Sequence, residues 1–199
     1  MNNTQALAAG LVDNVHDTQG AFREVLDALS RPGQIHTLGP ELPEVSLGGA
    51  MARLLLTLCD DETLVWWQGG SLVLQNWLRF HTGAAIAVEP NMASFAAINH
   101  VEDGLVLQSF SLGSAASPEH STTLLIELPG LSGGPGMTWQ GPGIEQSEVM
   151  SLQGLPADFW SQWQANGELF PQGVDIIFTC GDRVLGLPRT TRVSQQEGV

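Results

Sequence analysis

The sequence predicts one α/β domain built on a mixed sheet, and three observations carry that prediction. Segments with helical and with strand periodicity intermix along all 199 residues, which is the pattern of helices packed on a sheet. No repeat, low-complexity block or shift in composition marks a domain boundary. The length is enough to bury roughly 70% of the surface an unfolded chain exposes, so no disulfide or metal is needed to make a core. The domain is expected to occupy residues 1–199, with an ordered core over 13–193 and a mobile polar tail over 194–199.

Each element follows from local pattern. Ala21, Phe22, Val25, Leu26 and Leu29 share one helical face, so 17–30 is a helix, ended by Arg31-Pro32-Gly33. A short extended piece at 34–38 and a loop at 39–43 follow. Ser46 is placed as the N-cap of a helix over 47–60, whose face is Leu47, Ala50, Met51, Leu54, Leu55 and Leu58. The apolar run 64–67 is a buried strand stopped by Gln68-Gly69-Gly70. Ser71 caps a helix over 72–80, and 84–88 and 94–98 are short strands.

Residues 103–110 fit helix and strand equally. The stretch 122–128 is a clear strand, 130–136 a glycine-rich loop, and 137–140 and 148–152 weaker strands. Pro156 suits the first turn of a helix over 157–166, with Gly167 as its terminator. The last strands are 174–179 and 184–187, around a Cys180-Gly181-Asp182-Arg183 turn.

Charge excludes several function classes. The chain has 21 acids, seven arginines and no lysine, for a net charge of −14. Such a surface repels phosphate backbones and anionic lipid. Without lysine there is no Schiff-base chemistry and no P-loop. Residues 1–14 lack the basic start of a signal peptide, and no apolar run is long enough to span a membrane. Two isolated cysteines fit a reducing, cytoplasmic setting. Charged residues are 14% of the chain, against about 25% in an average soluble domain. That depletion suits a subunit with large interfaces, and equally an ordinary drift in composition.

Motifs for chemistry are sparse. His16, His36, His81, His100 and His120 form no pair at metal-ligand spacing, and Cys59 and Cys180 have no CxxC partner, so no metal is expected. The glycines at 133, 134 and 136 lack the following helix of an anion-binding loop and read as a turn. Arg79 and His81, at a helix C-terminus, suit the dipole there or a cationic pair facing an anion. Arg189-Thr190-Thr191-Arg192 follows the last strand and suits an anion, a neighbour's carboxylates or plain solvent. No GxSxG elbow, Cys–His neighbourhood or paired carboxylates appear.

Several segments taken in order resemble a known family. They are Phe22-Arg23 with Leu26, Ala28, Ser30 and Pro32-Gly33; Leu55-Leu56-Thr57-Leu58 with Asp60, Thr63, Val65 and Trp66; and Leu78-Arg79-Phe80-His81-Thr82. Leu131-Ser132-Gly133-Gly134 and Gly141-Pro142-Gly143-Ile144 follow, then Phe170-Pro171, Gly173, Asp175, Thr179-Cys180-Gly181 and Pro188-Arg189-Thr190-Thr191. The set, over about residues 13–193, resembles the PhnH family, whose members belong to the bacterial carbon–phosphorus lyase system for phosphonate use.

The resemblance implies a three-layer α/β sandwich similar to the large domain of pyridoxal-phosphate-dependent transferases, without that cofactor or any other. It implies a homodimer that joins subunits G, I and J of the same system. The associated chemistry transfers a phosphonate to the ribose C1′ of ATP with loss of adenine, giving a ribose 1-alkylphosphonate 5-triphosphate. A radical enzyme of the same system later breaks the carbon–phosphorus bond. The PhnH protein is an accessory in that scheme, with no assigned catalytic residues. A second reading gives this chain a ligand or catalytic site of its own. Arg79, His81, Arg189 and Thr190 then line an anion pocket, because both arginine-bearing motifs belong to the resembling set.

Overall fold

The computed structural model describes residues 8–39, 42, 46–101 and 105–195. The first helix, α1, spans Asn14–Ser30, and its start lies ahead of the residue 17 predicted. The Asp13 carboxylate is the reason: it accepts from the amides of Val15 and His16 at 3.2 and 3.0 Å, satisfying two orphan donors of the first turn. A short strand, β1 (Ile35–Thr37), follows.

The second helix, α2, spans Gly49–Leu58, and Ser46 does not cap it. Gly48 holds the N-cap position with no side-chain cap bond. The neighbouring strand explains the choice, since a Cβ at position 48 would collide with a carboxylate oxygen of Glu127.

Strand β2 (Leu64–Gln68) leads into helix α3 (Leu72–Thr82). Ser71 caps α3 as predicted, its hydroxyl accepting from Leu74 N–H at 3.3 Å. The helix outruns the predicted end at 80 because its stop is Gly83, in the left-handed conformation at φ 82°. Strands β3 (Ala85–Ile86) and β4 (Phe95–Ile98) follow, around a 3-10 turn at Pro90–Met92.

Of the ambiguous stretch 103–110, residues 103 and 104 lie outside those described, and Leu107–Ser109 is a 3-10 turn. Strands β5 (Thr123–Glu127), β6 (Met137–Gln140) and β7 (Glu148–Met150) fall where strands are expected. Helix α4 runs Phe159–Glu168, two residues after the predicted start at 157, with Asp158 at its N-cap position, and continues through Gly167. Gly167 does not end the helix because the stop is built beyond it. Asn166, 1% exposed, accepts from Val174 N–H at 2.8 Å and donates to Val174 O at 3.0 Å, which folds the chain back.

Strands β8 (Asp175–Cys180) and β9 (Arg183–Leu187) form the expected hairpin, with Gly181 at φ 60° in its turn. The tail predicted from residue 194 is instead strand β10 (Arg192–Gln195) as far as it is described. It pairs antiparallel with β6, Val193 opposite Trp139, and buries Val193. Residues 196–199 lie outside the described set.

The large sheet has seven strands in the order β1-β9-β8-β5-β4-β2-β3, and the second has three, β10-β6-β7. Strands β8, β5, β4, β2 and β3 are parallel, while β9 and β1 join antiparallel. The sheet is therefore mixed, as predicted.

Alternation along the central strands sends side chains to two separate cores. Ala97, Leu125, Ile177 and Val184 pack with α1, α2 and α3. Ala96, Leu124, Ile126, Ile176, Phe178 and Leu185 pack with α4 and the small sheet. On the first face α1 lies directly on β9, where a Cβ at Gly186 would collide with the Ala28 carbonyl oxygen. No helix of the described residues is long and apolar enough to cross a membrane.

The two cysteines differ in setting. Cys59 is buried at the end of α2, and burial first, then the neighbouring Asp60 charge, pushes its thiol up to about 12. Cys180 is only half-buried, in the β8–β9 hairpin. A thiol titration with Ellman's reagent at pH 8 is expected to show one reactive cysteine in the native protein and two in guanidinium; rapid native modification of both would contradict this burial.

Candidate functional site

The β8–β9 hairpin builds the most densely bonded polar cluster in the described chain. Ile176 pairs with Leu187, so the start of β8 and the end of β9 lie together and bring Asp175 against Arg189. The Arg189 amide donates to Asp175 Oδ1 at 2.7 Å, and its Nε donates to both carboxylate oxygens at 3.2 and 3.1 Å. Nη2 donates to the same carboxylate and, at 2.6 Å, to the Ser121 hydroxyl. Nη1 donates to the carbonyls of Pro118 at 3.2 Å and Pro171 at 3.1 Å.

A guanidinium has five N–H donors, and these bonds engage all of them. Its side chain is 12% exposed and that of Asp175 24%, so the pair is largely removed from water. The arrangement ties the hairpin to the 118–121 turn and to the turn after α4.

Thr190 and Thr191 continue from this brace into the wall of a cavity of about 590 Å³. The opposite wall is the end of α4, with Trp163, Gly167 and Glu168, and Phe170 beyond it. Trp163 is fixed there by an indole N–H bond to Thr191 O at 3.0 Å. Arg192 also lines the cavity; it is exposed, and its side chain has no ion pair or hydrogen bond among the described residues.

Arg79 and His81 lie elsewhere. Helix α3 packs in the first core, while Trp163 and α4 pack in the second, across the large sheet. No hydrogen bond or ion pair joins Arg79 or His81 to Arg189 or Thr190 among the described residues. His81 Nε2 sits 3.1 Å from Ala8 O, which also accepts from the Trp77 indole at 3.1 Å. The imidazole further contacts the Trp77 and Phe80 rings. Its role in this geometry is to pin residues 8–10 against α3; a Cβ at Gly10 would lie 2.9 Å from the His81 ring. Arg79 is exposed. No group of three or more His, Cys, Asp or Glu converges among the described residues.

A further polar feature gave no signal in the sequence. Glu127 ends the central strand β5, and its half-buried carboxylate meets the N-terminus of α2. Burial raises its pKa above the ordinary 4.5, and a bond from the Gly48 amide opposes that rise. Only the pairing of β5 with the α2 start reveals it, and nothing local to Glu127 marks it.

Both polar features have measurable consequences. Arg189→Ala leaves the Asp175 carboxylate without its counter-charge and is expected to cost on the order of 3 kcal/mol in urea unfolding. Arg189→Met combined with Asp175→Asn should recover part of that loss, and a neutral Arg189→Ala would deny the brace. For Glu127 the sign is opposite. A raised folded-state pKa means the ionised form is tolerated less well in the fold than in the unfolded chain. The penalty is full above the folded pKa and is relieved as pH falls towards the unfolded value. Glu127→Gln is therefore expected to raise the melting temperature at pH 7, with the gain disappearing below about pH 4. Destabilisation at pH 7 would show that the charge is favourable where it sits.

Comparison with known proteins places this arrangement in a family. Residues 9–194 match the family model described as bacterial phosphonate metabolism protein (PhnH). The chain is 35% identical over 196 residues to "Alpha-D-ribose 1-methylphosphonate 5-triphosphate synthase subunit PhnH" of Rhizobium meliloti (strain 1021), covering 97% of this chain and 98% of that protein. It is 30% identical over 181 residues to "Putative C-P lyase subunit protein HtxG" of Stutzerimonas stutzeri, covering 88% of this chain and 85% of the relative. The match spans both cores, the Asp175–Arg189 brace and the cavity, and on it the chain belongs to the PhnH family of bacterial phosphonate metabolism proteins.

Proposed function

We propose that this chain is an accessory subunit of a carbon–phosphorus lyase core complex in phosphonate catabolism. It supports transfer of a phosphonate to the ribose C1′ of ATP with loss of adenine and does not perform that step alone. The observation that carries the reading is similarity along nearly the whole chain to a subunit of a ribose 1-methylphosphonate 5-triphosphate synthase. The proposed partners are subunits G, I and J and a second copy of this chain, in the cytoplasm. The fold is read as the sandwich of the large domain of pyridoxal-phosphate-dependent transferases, serving here as a scaffold.

Two physical facts support an accessory role. A net charge of −14 opposes capture of a triphosphate and a phosphonate together. The guanidinium of Arg189, a candidate anion ligand in the resembling pattern, has its donors engaged by Asp175, Ser121 and two carbonyls. The other reading, an anion site drawing on Arg79, His81, Arg189 and Thr190, would need that brace to open.

The test is co-expression with G, I and J followed by native mass spectrometry. A stoichiometric complex containing this chain is expected, with no turnover of ATP and methylphosphonate by the chain alone. A homodimer that ignores its partners, or turnover by the isolated chain, would overturn the proposal. Arg79→Ala separates the two readings: lost assembly makes Arg79 an interface residue, whereas retained assembly with lost phosphonate growth moves the case to the anion site.

A further inference from the structure

The 590 Å³ cavity between α4 and β10 falls within the roughly 300–1,000 Å³ range of small-molecule sites. Its walls are mainly apolar, with Trp163, Phe170, Pro142 and Val193 around the space. Phe170 is 62% exposed, an unusual setting for a phenyl ring that none of the described residues covers.

One polar group with unspent capacity stands on one wall. Arg192, in a chain where acids outnumber arginines three to one, has no carboxylate partner among the described residues. Thr191 is 2% exposed and its hydroxyl is closed off from the cavity, so it offers nothing to a ligand there. Thr190 places a half-buried side chain on the same wall. Arg189, by contrast, is neutralised by Asp175 and adds no free charge.

We infer that this cavity binds a small ligand with an apolar ring body and one negative charge, the charge set by Arg192 and the body by Trp163, Phe170 and Pro142. The same geometry limits the charge to one. Glu168 stands at the exposed rim, and the last carbonyls of α4 place the negative end of the helix dipole beside it. One guanidinium against these two features suits a monoanion such as an aryl carboxylate and disfavours a polyphosphate. The site is distinct from the proposed subunit role and does not depend on it.

The probe is 2-naphthoate, titrated into the full chain by calorimetry and by NMR of the tryptophan indole N–H signals. Saturable one-to-one binding is expected, with a shift in the Trp163 indole signal, which reports the bond to Thr191 O. Naphthalene-2-carboxamide, which has the same body without the charge, and ATP, a polyanion, should each bind at least tenfold more weakly. Arg192→Gln should reduce naphthoate affinity about tenfold, the scale of a charge-assisted hydrogen bond. Gly167→Leu should abolish binding by filling the space; the nearest atom to a Cβ there is Arg189 O at 4.0 Å, so the helix accommodates the start of the side chain. Arg79→Gln, on the other face, should leave binding unchanged.

Three results would overturn the inference: no saturable binding by the wild type, equal affinity for the carboxamide, or naphthoate affinity unaffected by Arg192→Gln. A Gly167→Leu protein that fails only to assemble with G, I and J, from a wild type that binds no naphthoate, would assign the cavity to a partner protein instead.

Discussion

The fold depends on strands that are buried on both faces. Strands β4, β5 and β8 lie in the middle of a mostly parallel sheet, and their alternate side chains fill two cores. Parallel neighbours cannot be joined by tight turns, so each needs a crossover, and the crossovers supply the covering layers. Helix α3 between β2 and β3 helps to cover one face. The long β5–β8 connection, carrying β6, β7 and α4, covers the other. Strand β10 then completes the small sheet, which is why the chain must return past β9 to finish its second core. The Asp175–Arg189 brace sits where that return begins and fixes its direction.

Much of this was legible in the sequence because local and tertiary preferences agree there. The Ser71 cap and the β8–β9 hairpin form as the residue pattern demands, and of the face predicted for the first helix Ala21, Val25 and Leu29 turn inward, whereas Phe22 and Leu26 are exposed. The departures have a common cause in contacts made at long range. Ser46 satisfies the local rule for an N-cap, yet the helix starts at Gly49 because Glu127, distant in sequence, occupies the space. Gly167 has the look of a terminator, yet Asn166 builds the stop through Val174. The final segment is polar in composition, yet Val193 has a waiting place opposite Trp139.

The candidate residues divide along similar lines. The sequence marks arginines as worth attention because there are so few, but it does not reveal which are spent inside the protein. Arg189 and Arg192 are three positions apart and look alike in the sequence. One is surrounded by acceptors that arrive from turns at 118–121 and 171; the other faces a cavity with no partner among the described residues. His81, read as a possible partner for an anion, faces the backbone of residue 8. A protein short of cations uses some of them to hold its own acids and carbonyls in place, and that use is visible only when the tertiary contacts are known.

The Arg189 brace also bears on the order in which the molecule assembles. Its acceptors lie 14, 18, 68 and 71 residues away along the chain, so closing it requires the hairpin, the 118–121 turn and the end of α4 to be already positioned. Loop-closure entropy makes contacts of such separation late ones. Interactions that form after the transition state slow escape from the native state more than they speed arrival. The brace is thus a determinant of lifetime: weakening it should appear in the unfolding limb of a chevron plot, with the folding limb almost unmoved.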